Sequence, residues 1–365
     1  MKIIHVIPSL NIGGAENFVV QLASEQVKHN SVSIILLGYT DPERNFKGSV
    51  HPAVKIFDLN WEKKYTSNQF WELYRLISHI EPDVLHFHLT QAMIYMHGIA
   101  LIKTKVKYVH TVHNSYSNWK RRLTWLNRLQ HFMRTKVLHV CISPSIHRDV
   151  QKGFPKLRST MIRNGIKSYT IQRTTHKIED IWNKYSVTPE KGKRFVTIGN
   201  ISKYKNHKLL ALSFAVIAKK YPNAMCIHFG RPSHTELVKE VKKINAPNLF
   251  FAGPHQNAPD FLSKADAMII SSIQEGMPIV ALEALSMGIP IITTPAGGMV
   301  DVVIDNYNGF ITPDFEVNSL INTITKYIEL SDHQKKELSR NAKESFSQYY
   351  EINQIEQTYQ YHYMS

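Results

Sequence analysis

Residues 271–298 read SSIQEGMPIVALEALSMGIPIITTPAGG, and the order of residue types in this stretch decides the fold. A β-rich run, Ala267–Ser271, leads into it, a loop presents Glu275, and Pro278 stands where a helix would begin. A further strand candidate, Pro290–Thr293, follows. Strand, loop, helix and strand in that order form the repeating unit of a parallel sheet. Proline suits a first helical turn because the N–H it lacks would be unpaired there anyway. The remaining unpaired N–H groups of a helix start attract phosphate, so Gly276, Met277, Pro278 and Ile279 form a candidate diphosphate seat. Glu283 follows about one and a half turns later, and a carboxylate is a chemically suitable partner for the vicinal diol of a ribose. Glu275, on the loop, would hold whatever the diphosphate carries. The same residues also fit a site-free arrangement, with Glu275 capping the helix and Glu283 solvated.

Working outward, the same alternation runs through most of the chain. Strand candidates before this stretch are Lys2–Ile7, Val32–Leu37, Val54–Leu59, Val84–His88, Lys107–Val112, Val137–Ile142, Arg194–Ile198, Ala224–Phe229 and Leu249–Ala252. A helical pattern, Ala15–Lys28, lies between the first two. The alternation pauses in a polar stretch near 168–193 and then resumes. The expected fold class is therefore α/β, with two Rossmann-like domains, each a doubly wound parallel sheet, facing a central cleft. The expected boundaries are 1–168, a linker at 169–190, and 191–340, with a helical tail at 341–365 that returns to the first domain. In such sheets ligands sit beyond the carboxyl ends of the strands, where these motifs fall.

At 365 residues and 43% hydrophobic composition, the chain can bury two cores of ordinary domain size. No run of about 18 apolar residues suggests a transmembrane helix. The segment Met1–Pro8 is too short and interrupted for a signal peptide and reads as a first strand. Cys141 and Cys226 lie outside any CxxC pattern, so a reducing, cytoplasmic setting is expected. A formal charge of +15 would draw nucleotide diphosphates, nucleic acids or acidic lipid surfaces. The basic residues are scattered and no nucleic-acid motif is visible, so no nucleic-acid partner is expected.

Other residues bear on chemistry. Gly13 and Gly14 stand between a strand and a helix start, where a missing side chain lets backbone reach an anion; a ligand-free tight turn fits equally well. They do not complete GxGxxG, which argues against a nicotinamide enzyme. Lys205 offers a point charge for a departing diphosphate, or is a plain surface lysine. His86 and His88 make an HxH pair, yet no carboxylate stands at metal-binding spacing and no DxD triplet occurs. No catalytic metal and no other cofactor are expected. Residues 118–137 read as an amphipathic helix with a basic face. It suits either an anionic membrane surface or the outside of the first domain.

Several of these segments together resemble one family. Glu275-x7-Glu283 within SSIQEGMPIVALEALSMGIPIITTPAGG is similar to the signature of the retaining GT-B glycosyltransferases of family 4. In matching order, Asn11–Glu16 resembles that family's glycine-rich loop. Pro82–His88 and His110–His113 resemble its histidine-bearing strand ends, and Arg163–Ile166 its asparagine-glycine turn. Gly199–Asn206 resembles the loop that opens the second domain, where Asn200 replaces the usual arginine.

The resemblance implies metal-independent, retaining transfer of a hexosyl group from a nucleotide sugar, UDP rather than GDP. The acceptor would be a carbohydrate or lipid-linked glycan at the inner face of a bacterial membrane, in surface polysaccharide synthesis. It further implies that Glu275, Lys205 and His113 act on the sugar and its leaving group. Gly13, Gly14, Asn200, Gly276, Met277, Pro278, Ile279 and Glu283 would hold the nucleotide diphosphate. The competing readings are a nucleotide-sugar epimerase of the same architecture, a basic nucleic-acid-binding protein, and a sugar-binding partner without turnover.

Overall fold

Short β-branched runs separated by amphipathic segments become parallel strands and their crossover helices in the computed structural model. It describes residues 1–62, 66–113, 136–185, 192–232, 235–255 and 257–365. The described chain divides into two compact units, 1–167 with 350–365, and 168–349.

The first unit holds β1 (Lys2–Ile7), β2 (Ser31–Gly38), β3 (Lys55–Trp61), β4 (Val84–His88), β5 (Lys107–Val112), β6 (Val137–Cys141) and β7 (Ser159–Met161). Their order across the sheet is β3-β2-β1-β4-β5-β6-β7, with every pair parallel. Residues of β4 and β6 are buried throughout, as expected of strands covered on both faces. The helix Gly14–Gln26 crosses from β1 to β2, and its Val19, Val20 and Ala23 join Ile7, Ile34 and Leu36 in a core. The order reverses between β1 and β4, which makes their carboxyl ends the switch point of this sheet.

The second unit repeats the plan with β8 (Arg194–Ile198), β9 (Met225–Phe229), β10 (Leu249–Gly253), β11 (Ala267–Ile270), β12 (Ile291–Thr293) and β13 (Gly309–Ile311). The order is β10-β9-β8-β11-β12-β13, again parallel throughout. Phe195, Phe214, Ile269, Ile324 and Tyr327 lie in its core. Here the switch point falls between β8 and β11. The buried thiols Cys141 and Cys226 sit in different units.

Residues 169–190 include a helix, Thr175–Tyr185, whose Ile178 and Trp182 are buried within the second unit. The approach to it is tied down by Asp260, which is fully buried. Its carboxylate accepts from the Tyr169 hydroxyl at 3.1 Å and from the backbone N–H groups of Gln172 and Arg173 at 2.9 and 3.0 Å. Asp260→Ala would strand these donors, so a loss of about 2 kcal/mol in urea unfolding is expected, with the strand content retained. A change under about 0.5 kcal/mol would show that the anchor is dispensable.

Residues 341–349 continue the helix Asp332–Tyr349, with Leu338, Ala342 and Phe346 buried in the second unit. The return to the first unit starts at Tyr350. The Ile166 N–H donates to the Tyr350 carbonyl at 2.9 Å, and the Ile352 N–H to the Ile166 carbonyl at 3.0 Å. Gly165 allows this approach, because a Cβ there would press on Ile355 and the Tyr350 carbonyl. The final helix, Ile352–Met364, then packs against Gly14–Gln26 and buries Tyr359 and Tyr363. Residues 118–135 of the expected amphipathic helix lie outside the described residues. Val137, included in that helix and also at the start of the strand candidate Val137–Ile142, opens β6.

Candidate active site

The carboxyl ends of β8 and β11 bring two of the sequence candidates into contact. After β8 the chain makes a tight turn, Lys203–Lys205, which ends at Asn206 in the left-handed region (φ 50°). Asparagine tolerates that region better than most residues. The loop after β11 is stitched to this turn. The Ser271 hydroxyl donates to the carbonyls of Lys205 and Asn206 at 3.0 and 3.3 Å, and the Ile273 N–H donates to the Tyr204 carbonyl at 2.7 Å. Lys205 Nζ consequently lies 2.6 Å from Glu275 Oε1, and the Ser272 hydroxyl donates to the same oxygen at 2.6 Å. Glu275 therefore pairs with a cation and does not cap the helix. A crevice lined by Ile198, Lys205, Ser271, Ser272 and Val280 opens here.

Behind the loop, the Gly298 N–H donates to the Glu275 carbonyl at 3.0 Å. A Cβ on Gly298 would overlap the Gly276 carbonyl oxygen, so glycine is required for this approach. The helix runs Ile279–Ser286 with Pro278 at its N-cap, one position earlier than a first-turn proline, and no side chain caps it. The Met277 and Ile279 side chains are buried, which leaves only their backbone for a ligand. Asn200 is exposed, and its Oδ1 accepts the Arg231 N–H at 3.3 Å.

Glu283 is 8% exposed, which overturns the solvated alternative. Burial pushes its carboxyl up to about 7. Among the described residues, no hydrogen bond or ion pair engages that carboxyl. A partnerless buried acid costs stability and is a mark of a functional site.

In the first unit, Gly13 is the N-cap of Gly14–Gln26 with no side-chain cap bond. The Glu16 carboxyl folds back over it, where a Cβ on Gly13 would fall. Burial raises the Glu16 carboxyl, and an anion seated on this turn would displace it. His113 follows β5 and is buried, its imidazole pushed down to about 3 by desolvation. His86, His88 and His110 are buried as well, and each has hydrogen-bond partners. His5, which the sequence reading passed over, completes a trio with His86 and His88 whose ligand atoms lie within 4.8 Å of one another. Each of the six ring nitrogens is already engaged by His, Gln, Tyr or Thr, so hydrogen bonding alone accounts for the trio. Its signal in the sequence was a histidine in the middle of an otherwise apolar strand. A depression of about 630 Å³ beside Lys2, His29 and Asp83, at the amino ends of the strands, carries none of the candidate site residues.

Comparison with known proteins matches both units. A model of the family Glycosyltransferase Family 4 matches residues 12–168, and one of Glycosyl transferases group 1 matches 179–345. The chain belongs to the family 4 type of GT-B glycosyltransferases. This glycosyltransferase is 23% identical over 238 residues to an uncharacterized glycosyltransferase of Methanocaldococcus jannaschii, spanning 61% of this chain and 58% of that one. It is 23% identical over 275 residues to the Escherichia coli UDP-Gal:alpha-D-GlcNAc-diphosphoundecaprenol alpha-1,3-galactosyltransferase, covering 70% and 68% of the two chains. Its fold matches that of Anabaena HepE, solved in complex with UDP and glucose, with TM-score 0.81, 20% identity and 98% of each chain covered. Among the described residues, no helix is long and apolar enough to cross a membrane.

Proposed function

We propose that this glycosyltransferase moves a hexosyl group from a UDP-sugar to a carbohydrate or lipid-linked glycan acceptor, with retention of configuration and without a metal. The observation that carries the reading is the Lys205–Glu275 contact at the switch point, beside an uncapped helix start and the buried Glu283 carboxyl. The carboxy-terminal unit binds the donor. Lys205 and the backbone N–H groups of the helix start take the diphosphate, Asn200 adds a hydrogen bond through its NH₂ group, and Glu283 accepts the ribose hydroxyls. Glu275, steadied by Ser272 and by one of the three donors of Lys205, holds the sugar. The other donors of Lys205 are left for phosphate oxygens.

As the anomeric carbon–oxygen bond breaks, negative charge grows on the departing phosphate, and Lys205 stabilises it. The acceptor hydroxyl attacks from the same face and gives its proton to that phosphate oxygen. No protein base is then required. The amino-terminal unit binds the acceptor, with His113 as a polar contact to the sugar, and its Gly13–Gly14 turn is a backbone seat for phosphate. The basic segment 118–135 would meet an anionic membrane surface, and the chain acts on the cytoplasmic side. The galactosyltransferase named above, with its UDP-Gal donor and diphosphoundecaprenol-linked acceptor, supports a UDP-sugar donor and a lipid-linked acceptor.

A panel of UDP- and GDP-sugars, read by thermal shift with and without EDTA, tests the donor and the metal. Stabilisation by the UDP series that survives EDTA is expected. NMR of the product's anomeric centre tests the stereochemistry, and an inverted product overturns the mechanism. Conversion of the donor with no acceptor present would indicate an epimerase instead. Gly298→Ala pushes the 275–278 loop off its support, so donor affinity measured by calorimetry should fall about tenfold while the fold survives. Unchanged affinity would show that this loop does not touch the donor.

A further inference from the structure

Three buried histidine rings and one buried amide form a single file through the amino-terminal unit. Gln26 Oε1 lies 2.7 Å from His5 Nε2, His5 Nδ1 lies 3.0 Å from His88 Nε2, and His88 Nδ1 lies 3.3 Å from His113 Nε2. Burial holds all three rings neutral, with His5 down at about 4, His113 at about 3 and His88 well below its ordinary value. A neutral imidazole has one N–H and one bare nitrogen, so whichever nitrogen donates, the other must accept. Each ring thus dictates the protonation of the next. The whole file runs in one direction or the other, and the Gln26 amide at its head chooses which.

The distances choose between the two directions. As placed, the Gln26 oxygen faces His5 at 2.7 Å and its NH₂ group faces the Tyr363 hydroxyl at 3.4 Å. Turning the amide over would set two nitrogens 2.7 Å apart and two oxygens 3.4 Å apart, the first at the short limit and the second beyond the usual O–H···O span. With the oxygen toward His5, His5 donates from Nε2, His88 donates from Nε2 to His5, and His113 donates from Nε2 to His88. The side branch agrees. Tyr363 accepts from Gln26 and donates to His86 Nδ1 at 2.7 Å, and His86 Nε2 donates to Thr111 at 2.7 Å.

We infer that Gln26, acting through His5 and His88, fixes His113 as the Nε2–H tautomer, so that its bare Nδ1 accepts a hydroxyl of the bound carbohydrate. The inference rests on the proposed placement of His113 in the site. Gln26, His5 and His88 are then positioning residues, and none of them needs to touch the sugar. A hydroxyl is accepted at Nδ1, and a group that itself only accepts hydrogen bonds is refused there.

Long-range proton–nitrogen correlation on the full chain, labelled with ¹⁵N in its histidine rings, reads the tautomers without any substrate. Protonated Nε2 and bare Nδ1 are expected at His5, His88 and His113; a proton on His113 Nδ1 overturns the inference. In Gln26→Leu the two His113 nitrogens should move toward averaged values, and kcat should fall about tenfold at unchanged donor KM, the equivalent of one hydrogen bond. Gln26→Glu, which keeps an acceptor oxygen, should restore the wild-type pattern. An unaltered His113 tautomer in Gln26→Leu overturns the relay, and should that variant fail to fold, the wild-type spectrum alone decides. Absence of sugar transfer by the wild-type chain would instead remove the functional reading and leave the tautomer measurement standing.

Discussion

Lys205→Ala is expected to lower kcat/KM for sugar transfer by about 10²–10³, most of it in kcat, in steady-state assays with the preferred UDP-sugar. The charge on a departing diphosphate has to be met by a cation, and the neighbouring Asn200 supplies a hydrogen bond but no charge. The lysine stem passes over Gly199, and its Nζ is held 2.6 Å from Glu275 Oε1. A guanidinium spreads its charge over a planar fork in place of a point charge, so Lys205→Arg should recover only part of the rate. Removing the ammonium also strands the Glu275 carboxylate, whose side chain is 10% exposed, and some loss of thermal stability will accompany the kinetic effect. Comparing kcat on protein shown by circular dichroism to be folded separates the two. If Lys205→Ala retained more than about a tenth of wild-type kcat/KM, the cation would have no part in leaving-group stabilisation.

Glu283→Gln should stabilise the protein at high pH while impairing donor binding. The carboxyl sits at about 7 in the folded chain against an ordinary value of 4.5. Between those values the unfolded chain has lost this proton and the folded chain still holds it. Stability therefore falls as pH rises from about 4.5 to about 7, by about 3 kcal/mol in all. Glutamine carries no such penalty. Urea unfolding should show the variant more stable than wild type by about that amount at pH 8 and nearly equal to it at pH 4. Parallel pH profiles for the two proteins would mean that Glu283 ionises freely.

Two ribose hydroxyls donating to Glu283 would favour the ionised form. Wild-type donor affinity should then climb with pH through about 7, whereas the variant binds weakly with a flat profile. Titration calorimetry across that range checks the sign.

The sequence revealed the sheets far better than it revealed what surrounds the site. Val84–His88, Lys107–Val112 and Arg194–Ile198 appear in the structure with the expected bounds, because strands covered on both faces read as short runs rich in apolar and β-branched residues. β7 and β13 went unseen, each being three residues at the edge of its sheet and too short to leave a pattern. The Glu-x7-Glu spacing and the lysine loop were visible as motifs, but the state of Glu283 was not. Helix Ile279–Ser286 is packed against the helix Asp332–Tyr349 and the turn Ala258–Lys264, partners distant in the chain whose contact no local pattern records. The histidine file was hidden for a similar reason. His5, His88 and His113 line up only through the register of β1, β4 and β5, and Gln26 meets them from a helix.

The last helix imposes an order on synthesis. Its Tyr363 and Tyr359 close over His86 and Thr111, yet residues 350–365 leave the ribosome only after the whole of 168–349 has been made. The part of the amino-terminal sheet around His86 and Thr111 must therefore wait uncovered while the carboxy-terminal unit, contiguous in sequence, completes its own core. A nascent chain halted near residue 340 would present a histidine-lined apolar surface to chaperones, and release of the final turns would seal it.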